Sequence, residues 1–434
     1  MRFKRAIYTI VAVAAVLMGQ QAFGQNSSIN AFSPYTFYGI GDITTPGNAI
    51  LRSMGGAGIG FRSAYSINSM NPASYSMIGQ NSFLFNFGME GINVYSKNAA
   101  TNTSFNTFNV RDVSIEFPVT RGLGIAFSVT PYSQVGYRVS KVDTRPDVVS
   151  DLGYVAYNYD GSGGVSQFKL GAGWEIIPRL SIGADMIYYH GKINRAFSAS
   201  ITSFTGSDVY YSVMGQDDER VGSIKADFGL QADLINNDKN RLTLGATYEL
   251  GGPLKTKVTR IVPSGNVITG DTISYENFTS AFALPSTVSV GVYYHNNKMS
   301  LGADYAFSDW ANKNAPDVDN GVAFRNTNTI RLGGEYIPSP GDVRSFFRRI
   351  SYRAGLRYGD YYMTIRDQAI SEKAITFGVG VPLGMTGLSM MNLGVELGQR
   401  GTLKAGLVKE NYVKFSVEFN MFGEDYWFVK YKYD

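Results

Sequence analysis

Polar and apolar residues alternate with a period of two along much of this chain. In residues 224–234, IKADFGLQADL, Ile224, Phe228 and Leu230 share one face, whereas Asp227 and Gln231 share the other. This period is that of a β-strand with one apolar and one polar face. The pattern recurs in residues 242–250, 299–308, 375–383 and 413–421.

The alternation predicts an all-β chain of fourteen strands, an even number that lets an antiparallel sheet close. The predicted strands are residues 81–96, 106–117, 122–140, 165–176, 180–202, 219–235, 241–262, 284–294, 298–310, 325–337, 349–363, 373–383, 388–400 and 410–422.

The predicted connections alternate in length. Short ones are residues 118–121, 177–179, 236–240, 295–297 and 384–387; longer ones are 141–164, 203–218, 263–283, 311–324 and 401–409. Residues 338–348 are long but fall on the short-turn side. The apolar strand faces point inward in a soluble sandwich and towards lipid in a membrane barrel. The alternating turn lengths favour a transmembrane antiparallel β-barrel with periplasmic turns and external loops.

Aromatic residues lie near the predicted strand ends, where interfacial girdles are expected. They are Tyr188–Tyr189, Tyr210–Tyr211, Tyr293–Tyr294, Tyr361–Tyr362 and Trp310. The ordinary β-propensity of tyrosine explains each of them singly but explains their shared position less well.

Composition supports a membrane barrel. Charged residues make up only 17% and aromatic residues 14% of the 434 residues, which is charge-poor and aromatic-rich for a soluble protein. The net charge of +4 is small and no Lys/Arg cluster is dense, so nucleic acid is not an expected partner. The chain has no cysteine, which excludes disulfides and thiolate metal sites, and we expect no cofactor.

Residues 1–24 are interpreted as a secretory signal peptide. Arg2, Lys4 and Arg5 precede the apolar run Ala6–Met18, and small residues follow at Ala22–Gly24. We therefore expect a mature chain that begins near Gln25, in the bacterial cell envelope.

Residues 25–80 lack sustained alternation and are rich in Gly, Ser, Asn and Ala. A fourteen-stranded barrel encloses more space than its own side chains fill, so a plug is expected. Small residues at Gly55, Gly56 and Gly58 allow close backbone packing, and Asn71-Pro72 predicts a turn. The predicted division is signal peptide 1–24, hatch 25–80, barrel 81–422 and periplasmic tail 423–434.

Three segments resemble the FadL-like outer-membrane transporters of long-chain fatty acids. They are the Gly/Ala-rich stretch that ends in Asn71-Pro72-Ala73, ALPSTVSVGVYYHNNKMSLGADYAFSDW at 283–310, and IRLGGEYIP with the following ISYRAGLRYGD. Residues 398–412, GQRGTLKAGLVKENY, are similar to the branch found in Bacteroidota. The resemblance implies a fourteen-stranded barrel with an N-terminal hatch, and only Asn71, Pro72 and Ala73 are carried over as hatch residues.

The resemblance also implies a function. Hydrophobic, fatty-acid-like molecules would pass from an external groove through a hatch-gated lumen to a lateral opening, in the bacterial outer membrane. The alternative is a barrel that transports nothing and serves as an accessory or structural subunit of an outer-membrane assembly or secretion complex. Expected partners are outer-membrane lipid and a hydrophobic small molecule, with other outer-membrane or periplasmic proteins under the alternative.

Catalysis is not expected, because the chain has only two histidines, His190 on a predicted strand and His295 in a predicted turn. Two aromatic and basic segments are candidates for partner docking, one in the long connection of the short-turn side and one in the tail. Their residues are Phe346, Phe347, Arg348, Trp427, Phe428 and Tyr431. Ordinary loop chemistry, or a tail that packs under the hatch, is the simpler explanation.

Overall fold

The computed structural model describes residues 31–424 except 100, 203–212, 238, 264–271, 281, 312, 314–320, 343 and 385–387. Its main element is a closed antiparallel barrel of fourteen strands, which confirms the predicted fold class. The strands are β1 (Ser82–Lys97), β2 (Asn102–Thr120), β3 (Leu123–Asp143), β4 (Tyr154–Ile177), β5 (Leu180–Thr202), β6 (Val213–Asn236), β7 (Asn240–Glu249), β8 (Ser286–Asn296), β9 (Met299–Asp309), β10 (Thr327–Tyr336), β11 (Ser351–Ile365), β12 (Gln368–Leu383), β13 (Ser389–Gly401) and β14 (Lys409–Glu424).

Each strand pairs with the next, and the first and last strands close the ring. The β1–β14 register runs from Ser82 opposite Glu424 to Lys97 opposite Lys409 without a break. The predicted closure of strand fourteen on strand one is confirmed, and β14 extends two residues beyond the predicted end.

The alternation along each strand sorts side chains between the outer wall and the lumen. In β6 the outward Ile224 is 64% exposed, whereas Asp227 and Gln231 are buried on the inner face. A closed ring pairs the backbone groups of its strands, so an apolar outer wall of this kind suits lipid.

The prediction of one strand over residues 241–262 is wrong in its second half. Strand β7 ends at Glu249, and Gly251, Gly252 and Pro253 follow, residues that are poor in strand interiors. A separate strand, Thr256–Pro263, pairs with the outer part of β6 and forms a hairpin with Thr272–Ser280 inside the predicted loop 263–283.

The predicted long loops 141–164 and 401–409 are shorter than expected, whereas the predicted loop 311–324 is longer, because β9 ends at Asp309 and β10 starts at Thr327. Strand β3 continues to Asp143 and β4 starts at Tyr154, so the predicted loop 141–164 reduces to a connection with one short helix. The wall therefore extends beyond the length needed to cross a bilayer at this rim. We call this end of the barrel the long-loop rim. We call the opposite end the short-turn rim; its turns are residues 121–122, 178–179, 237–239, 297–298, 337–350 and 384–388.

The helices among the described residues are all short. They are α1 (Ala49–Ser53), α2 (Pro146–Leu152) and the 3-10 helices Pro34–Phe37, Pro72–Met77, Phe346–Arg349 and Lys404–Gly406. None of the helices in the described part of the chain is long and apolar enough to cross a membrane.

Residues 31–81, which we call the hatch, lie inside the barrel. Their outer part is held at the long-loop rim, where Asp42–Ile43 pairs with residues 133–134 of β3 and the Ser33 hydroxyl donates to Glu410. Helix α1 lies deeper, and Pro72–Met77 lies near the short turns of β3 to β5. The hatch thus crosses the lumen from one rim to the other.

The wall is incomplete between β2 and β3. These strands pair only from Val113 opposite Val129 to Thr120 opposite Leu123, so residues 102–112 have no β3 partner. The hatch covers the open edge of β3 from inside, because the Ser33 and Thr44 amides donate to the carbonyls of Gly136 and Tyr132. We call this opening in the outer half of the wall the side gap.

The predicted aromatic girdles are only partly present. Trp310, Tyr361 and Tyr362 are buried inside the mouth of the barrel and do not face lipid. Neighbouring residues of a regular strand point to opposite faces, so Tyr188 lies outside and Tyr189 inside. Tyr361 and Tyr362 are both inside because the register of β11 shifts between Asp360 and Thr364. Tyr210–Tyr211 lies outside the described residues.

The outer wall predicts a depth-dependent cost of charge. Leu332 is 46% exposed on the outer face in the middle of β10. The Leu332→Lys variant should lower the free energy of unfolding in bilayers by about 2–4 kcal/mol. The matched Tyr336→Lys variant, at the short-turn end of the same strand, should cost clearly less. Urea titration of refolded protein in vesicles measures both, and equal costs would contradict this placement of the wall.

Candidate functional site

The hatch is seated against a belt of inward-facing glycines on the barrel wall. Eleven consecutive strands, β3 to β13, each contribute one glycine at which an added Cβ would meet hatch atoms. They are Gly124, Gly173, Gly183, Gly229, Gly245, Gly291, Gly302, Gly333, Gly355, Gly378 and Gly394. Glycine lacks a side chain, so backbone can approach it more closely than any other residue.

The belt glycines are adjacent to one another across the sheet. Gly173 lies opposite both Gly124 and Gly183, and the latter lies opposite Gly229. Gly333 likewise lies between Gly302 and Gly355. The row shifts by two residues at three places, where the residues opposite Gly229, Gly291 and Gly355 are Thr247, Asp304 and Thr376, and the hatch follows this stepped row along the inner wall.

The predicted hatch glycines are part of this contact. Gly55 and Gly56 have φ of +69° and +86°, values that favour glycine. A Cβ at Gly55 would overlap the carbonyl oxygens of Leu332 and Leu356. Gly58 donates its backbone N–H to Asp304 Oδ2 at 2.6 Å.

The predicted Asn-Pro-Ala turn caps the deepest part of the hatch. Asn71 precedes the helix Pro72–Met77, and its side chain accepts from the Ala73 amide at 3.1 Å. Its amide nitrogen donates to the carbonyls of Ile59 at 2.9 Å and Leu230 at 3.2 Å, which ties the turn to the hatch and to the wall. The structure therefore brings all six predicted hatch residues against or beside the belt.

Buried charges fix the hatch to the wall at several points. Arg52 lies 3.4 Å from Asp112 and 3.8 Å from Glu90, with all three side chains buried. Arg62 lies 3.3 Å from Asp233 and donates to Ser181 Oγ at 2.8 Å.

Wall carboxylates also accept hydrogen bonds from hatch amides. Asp304 Oδ2 receives the N–H groups of Gly58 and Ile59, and Glu418 receives the Ala49 N–H at 2.6 Å. Removing one partner of a buried pair leaves an uncompensated charge and costs about 3–5 kcal/mol. A moving hatch would break several such contacts together.

Apolar packing closes the mouth of the barrel near the long-loop rim. Tyr35 and Ile40 of the hatch pack in one cluster with Trp310, Tyr361 and Tyr362 of the wall. Burial raises the pKa of Tyr35 to about 12, and its hydroxyl donates to the Val408 carbonyl.

A cavity of about 230 Å³ lies between this cluster and the belt. Its wall is strongly charged. Five cationic and four anionic side chains line it, namely Arg52, Arg111, Lys169, Arg331, Arg357, Asp42, Glu249, Asp360 and Glu372. Tyr132, Trp310, Tyr361 and Tyr362 form its aromatic part. We call this cavity the chamber.

The predicted docking residues Phe346, Phe347 and Arg348 lie together on the short-turn rim. They form one 3-10 helix, in which Phe347 is 72% and Phe346 44% exposed. The loop is ordered by Asp342, whose pKa is lowered by hydrogen bonds from the Ser345 and Arg344 amides and by the nearby Arg348 guanidinium. Trp427, Phe428 and Tyr431 lie outside the described residues.

Neither histidine is placed like a catalytic base. His295 Nδ1 lies 2.9 Å from Ser300 Oγ near the short-turn rim, and His190 lies 3.5 Å from the Tyr188 hydroxyl on the outer wall. No group of three metal-ligating residues occurs in the described ranges.

Sequence reasoning missed the belt and the luminal ion pairs. The charged residues on the polar faces of the strands were the available signal, since Asp227, Asp233 and Glu418 all occupy inward positions. Their hatch partners are distant in sequence, as Asp112 is from Arg52, and no periodicity joins them.

Comparison with solved structures finds the same barrel in channels for hydrophobic compounds. A Pseudomonas aeruginosa FadL homologue is 13% identical at a TM-score of 0.57, over 88% of this chain and 99% of that one. The CymD monoaromatic hydrocarbon channel is 14% identical at a TM-score of 0.55, over 88% of this chain and 98% of that one. The Ralstonia pickettii toluene transporter TbuX is 12% identical at a TM-score of 0.55, over 89% of this chain and 99% of that one. At these identities the likeness shows the fold alone.

Comparison of the sequence with protein-family models gives one match over nearly the whole chain. The model described as BamG covers residues 6–434. A search of curated proteins finds no match.

From the close packing at the belt we expect that one added methyl group will displace the hatch. A Cβ at Gly355 would overlap the backbone nitrogen of Gly55, so Gly355→Ala should destabilise the closed lumen by about 1–3 kcal/mol or more. The variant should show channel openings in planar bilayers that the wild type lacks. Gly341→Ala is the matched control, because nothing lies within 4 Å of its added methyl group. Silent bilayers for both variants would contradict the role given to the belt.

Proposed function

The chain belongs to the BamG family, and from the hatch seated in the lumen of its barrel we propose that it is a non-transporting outer-membrane subunit. In this role the barrel anchors and presents surfaces to other proteins of an outer-membrane assembly or secretion complex. The proposal takes up the alternative that the sequence left open, and the seated hatch is the observation that supports it.

The hatch contacts argue against a gate that opens easily. Its backbone or side-chain atoms lie against glycines of eleven strands, so its displacement would remove close packing around most of the wall. The buried pairs Arg52–Asp112 and Arg62–Asp233 would lose their partners in the same step. Each broken pair costs about 3–5 kcal/mol, which makes a fixed hatch the lower free-energy state.

The chamber is poorly suited to a fatty-acid-like solute. Its nine charged side chains are hydrated or paired, and an apolar molecule would have to remove that water without replacing its hydrogen bonds. The apolar residues of the lumen are packed against each other at the mouth, where Trp310 and Tyr362 have ring centroids 4.6 Å apart.

Passive uptake of hydrophobic molecules is the second candidate. It is favoured by the barrel shared with structures titled as toluene and monoaromatic hydrocarbon channels, and by the side gap between β2 and β3. Under this candidate, Gly55, Gly56, Gly58 and the Asn71–Ala73 turn would act in gating. The fatty-acid specificity expected from the sequence belongs here.

Further properties follow from the same proposal. The protein lies in the bacterial outer membrane, in contact with its lipid, and carries out no enzymatic reaction. The likeness of residues 398–412 to Bacteroidota members supports a place in that branch. The short-turn rim would face the periplasm, so Phe346, Phe347 and Arg348 would be presented there to a protein partner.

The first test measures conduction and uptake. We expect wild-type protein to be silent in planar bilayers and deletion of residues 31–78 to open a large, steady conductance, because the hatch alone fills the belt. Wild-type proteoliposomes should accumulate fatty acids, alkanes and aromatic compounds no faster than protein-free vesicles. Saturable uptake that Asn71→Ala/Pro72→Ala abolishes without unfolding the barrel would favour the second candidate.

The second test concerns the exposed aromatic patch on the short-turn rim. Phe347→Ser should reduce the amount of protein partner retained after mild detergent extraction, because it removes a large apolar contact. Tyr358→Ser is the control, since Tyr358 is 55% exposed on the outer wall, where lipid covers it. Heat stability should be unchanged in both. Equal retention in the two variants would contradict docking through Phe347.

A further inference from the structure

Arg331 is a buried cation whose guanidinium makes no hydrogen bond and no close ion pair within the part of the chain that the structure describes. It lies on the inner face of β10, is only 9% exposed, and lines the chamber. Its Nε is buried without a hydrogen bond, and no carboxylate in the described ranges lies within ion-pair distance. The other four chamber cations all have carboxylate partners; they are Arg52, Arg111, Lys169 and Arg357.

Two carboxylates, Asp304 and Glu249, act on Arg331 electrostatically, but both lie beyond ion-pair distance. Asp304, its register partner on β9, already accepts the amides of Gly58 and Ile59 through Oδ2. On its other side the register partner is a second arginine, Arg357 of β11. Like charges directly opposite each other in a sheet are destabilising, and Glu372 and Glu396 pair with Arg357 but not with Arg331.

The chamber provides the space for an anion. Its volume of about 230 Å³ is below the roughly 300–1,000 Å³ of typical ligand pockets, but it is ample for a small solute. The lining carries one more cation than it carries anions. The hatch holds the arginine in place from the opposite side, since Gly56 packs on its stem.

We propose that the chamber binds an oxyanion, a phosphate or carboxylate group, at Arg331. The planar guanidinium offers parallel N–H donors that match two oxygens of such a group. The bound anion neutralises the unpaired arginine and lies between the hatch and the wall. The group comes either from a free small anion or from the headgroup of a lipid or solute that reaches the chamber.

This site is independent of the proposed function. A non-transporting barrel and an uptake channel each contain the same unpaired arginine. Binding is therefore measured on the purified full-length protein without any assay of transport or of partners.

The experiment compares wild type with Arg331→Met in phosphate-free, low-salt detergent buffer. The unfolding temperature of the wild type should rise saturably with inorganic phosphate, whereas that of Arg331→Met should rise only by the general salt effect. Without phosphate the variant should be at least as stable as the wild type, because it removes an uncompensated buried charge. Native mass spectrometry should show a phosphate adduct on the wild type alone.

Arg138→Met is the matched control, because Arg138 is exposed on β3, pairs with Asp160 and does not line the chamber. It should respond to phosphate like the wild type. Acetate and phosphoethanolamine distinguish the sources: tighter binding of phosphoethanolamine indicates a headgroup, and equal or weaker binding indicates a free anion. An equal phosphate response in wild type and Arg331→Met, or none in either, would overturn the proposal.

Discussion

The structure depends on the close approach of the hatch backbone to the glycine belt. A barrel of fourteen strands is too wide to fill its own lumen with strand side chains. The belt solves this by bringing main chain to main chain, as at Gly173 and Gly183 against Pro72, where no methyl group could be accommodated. The position of every other luminal group, charged or apolar, follows from where the hatch is seated.

The charges of the lumen are arranged around this seat. The hatch contains little regular structure, so some of its backbone N–H groups have no acceptor within the hatch. Wall carboxylates such as Asp304 and Glu418 accept hydrogen bonds from these groups. Buried polar groups without partners are costly, so the hatch and the wall complete one another's hydrogen bonds. These shared hydrogen bonds explain how a segment with so few charges is fixed inside the barrel.

The sequence was sufficient for the strand count and for the small-residue plug, but only partly for the contacts between them. Period-two alternation identified β6 and β14 because each has an apolar outer face and a polar inner face. It failed at residues 250–262, where the chain leaves the wall and pairs with the outer part of β6 instead.

The prediction of aromatic girdles from the tyrosine pairs was only partly right, because sequence does not tell which face of the wall a ring is on. A ring at Tyr362 looks the same in sequence whether it faces lipid or the packed mouth of the lumen. The belt glycines were hidden among polar residues on the inner faces, and pairs such as Arg52 with Asp112 depend on distances in space that local patterns do not contain.

The path of the hatch from rim to rim constrains the order of folding. Its first described residues lie at the long-loop end beside Glu410, and its last lie at the short-turn end beside Gly124. The close packing at the belt leaves no free space through which an extended hatch could enter a barrel that has already closed. The seam between β1 and β14 joins segments more than 300 residues apart and is the natural last step. The hatch would then be laid against the growing sheet first, and the sheet would curl around it as a template.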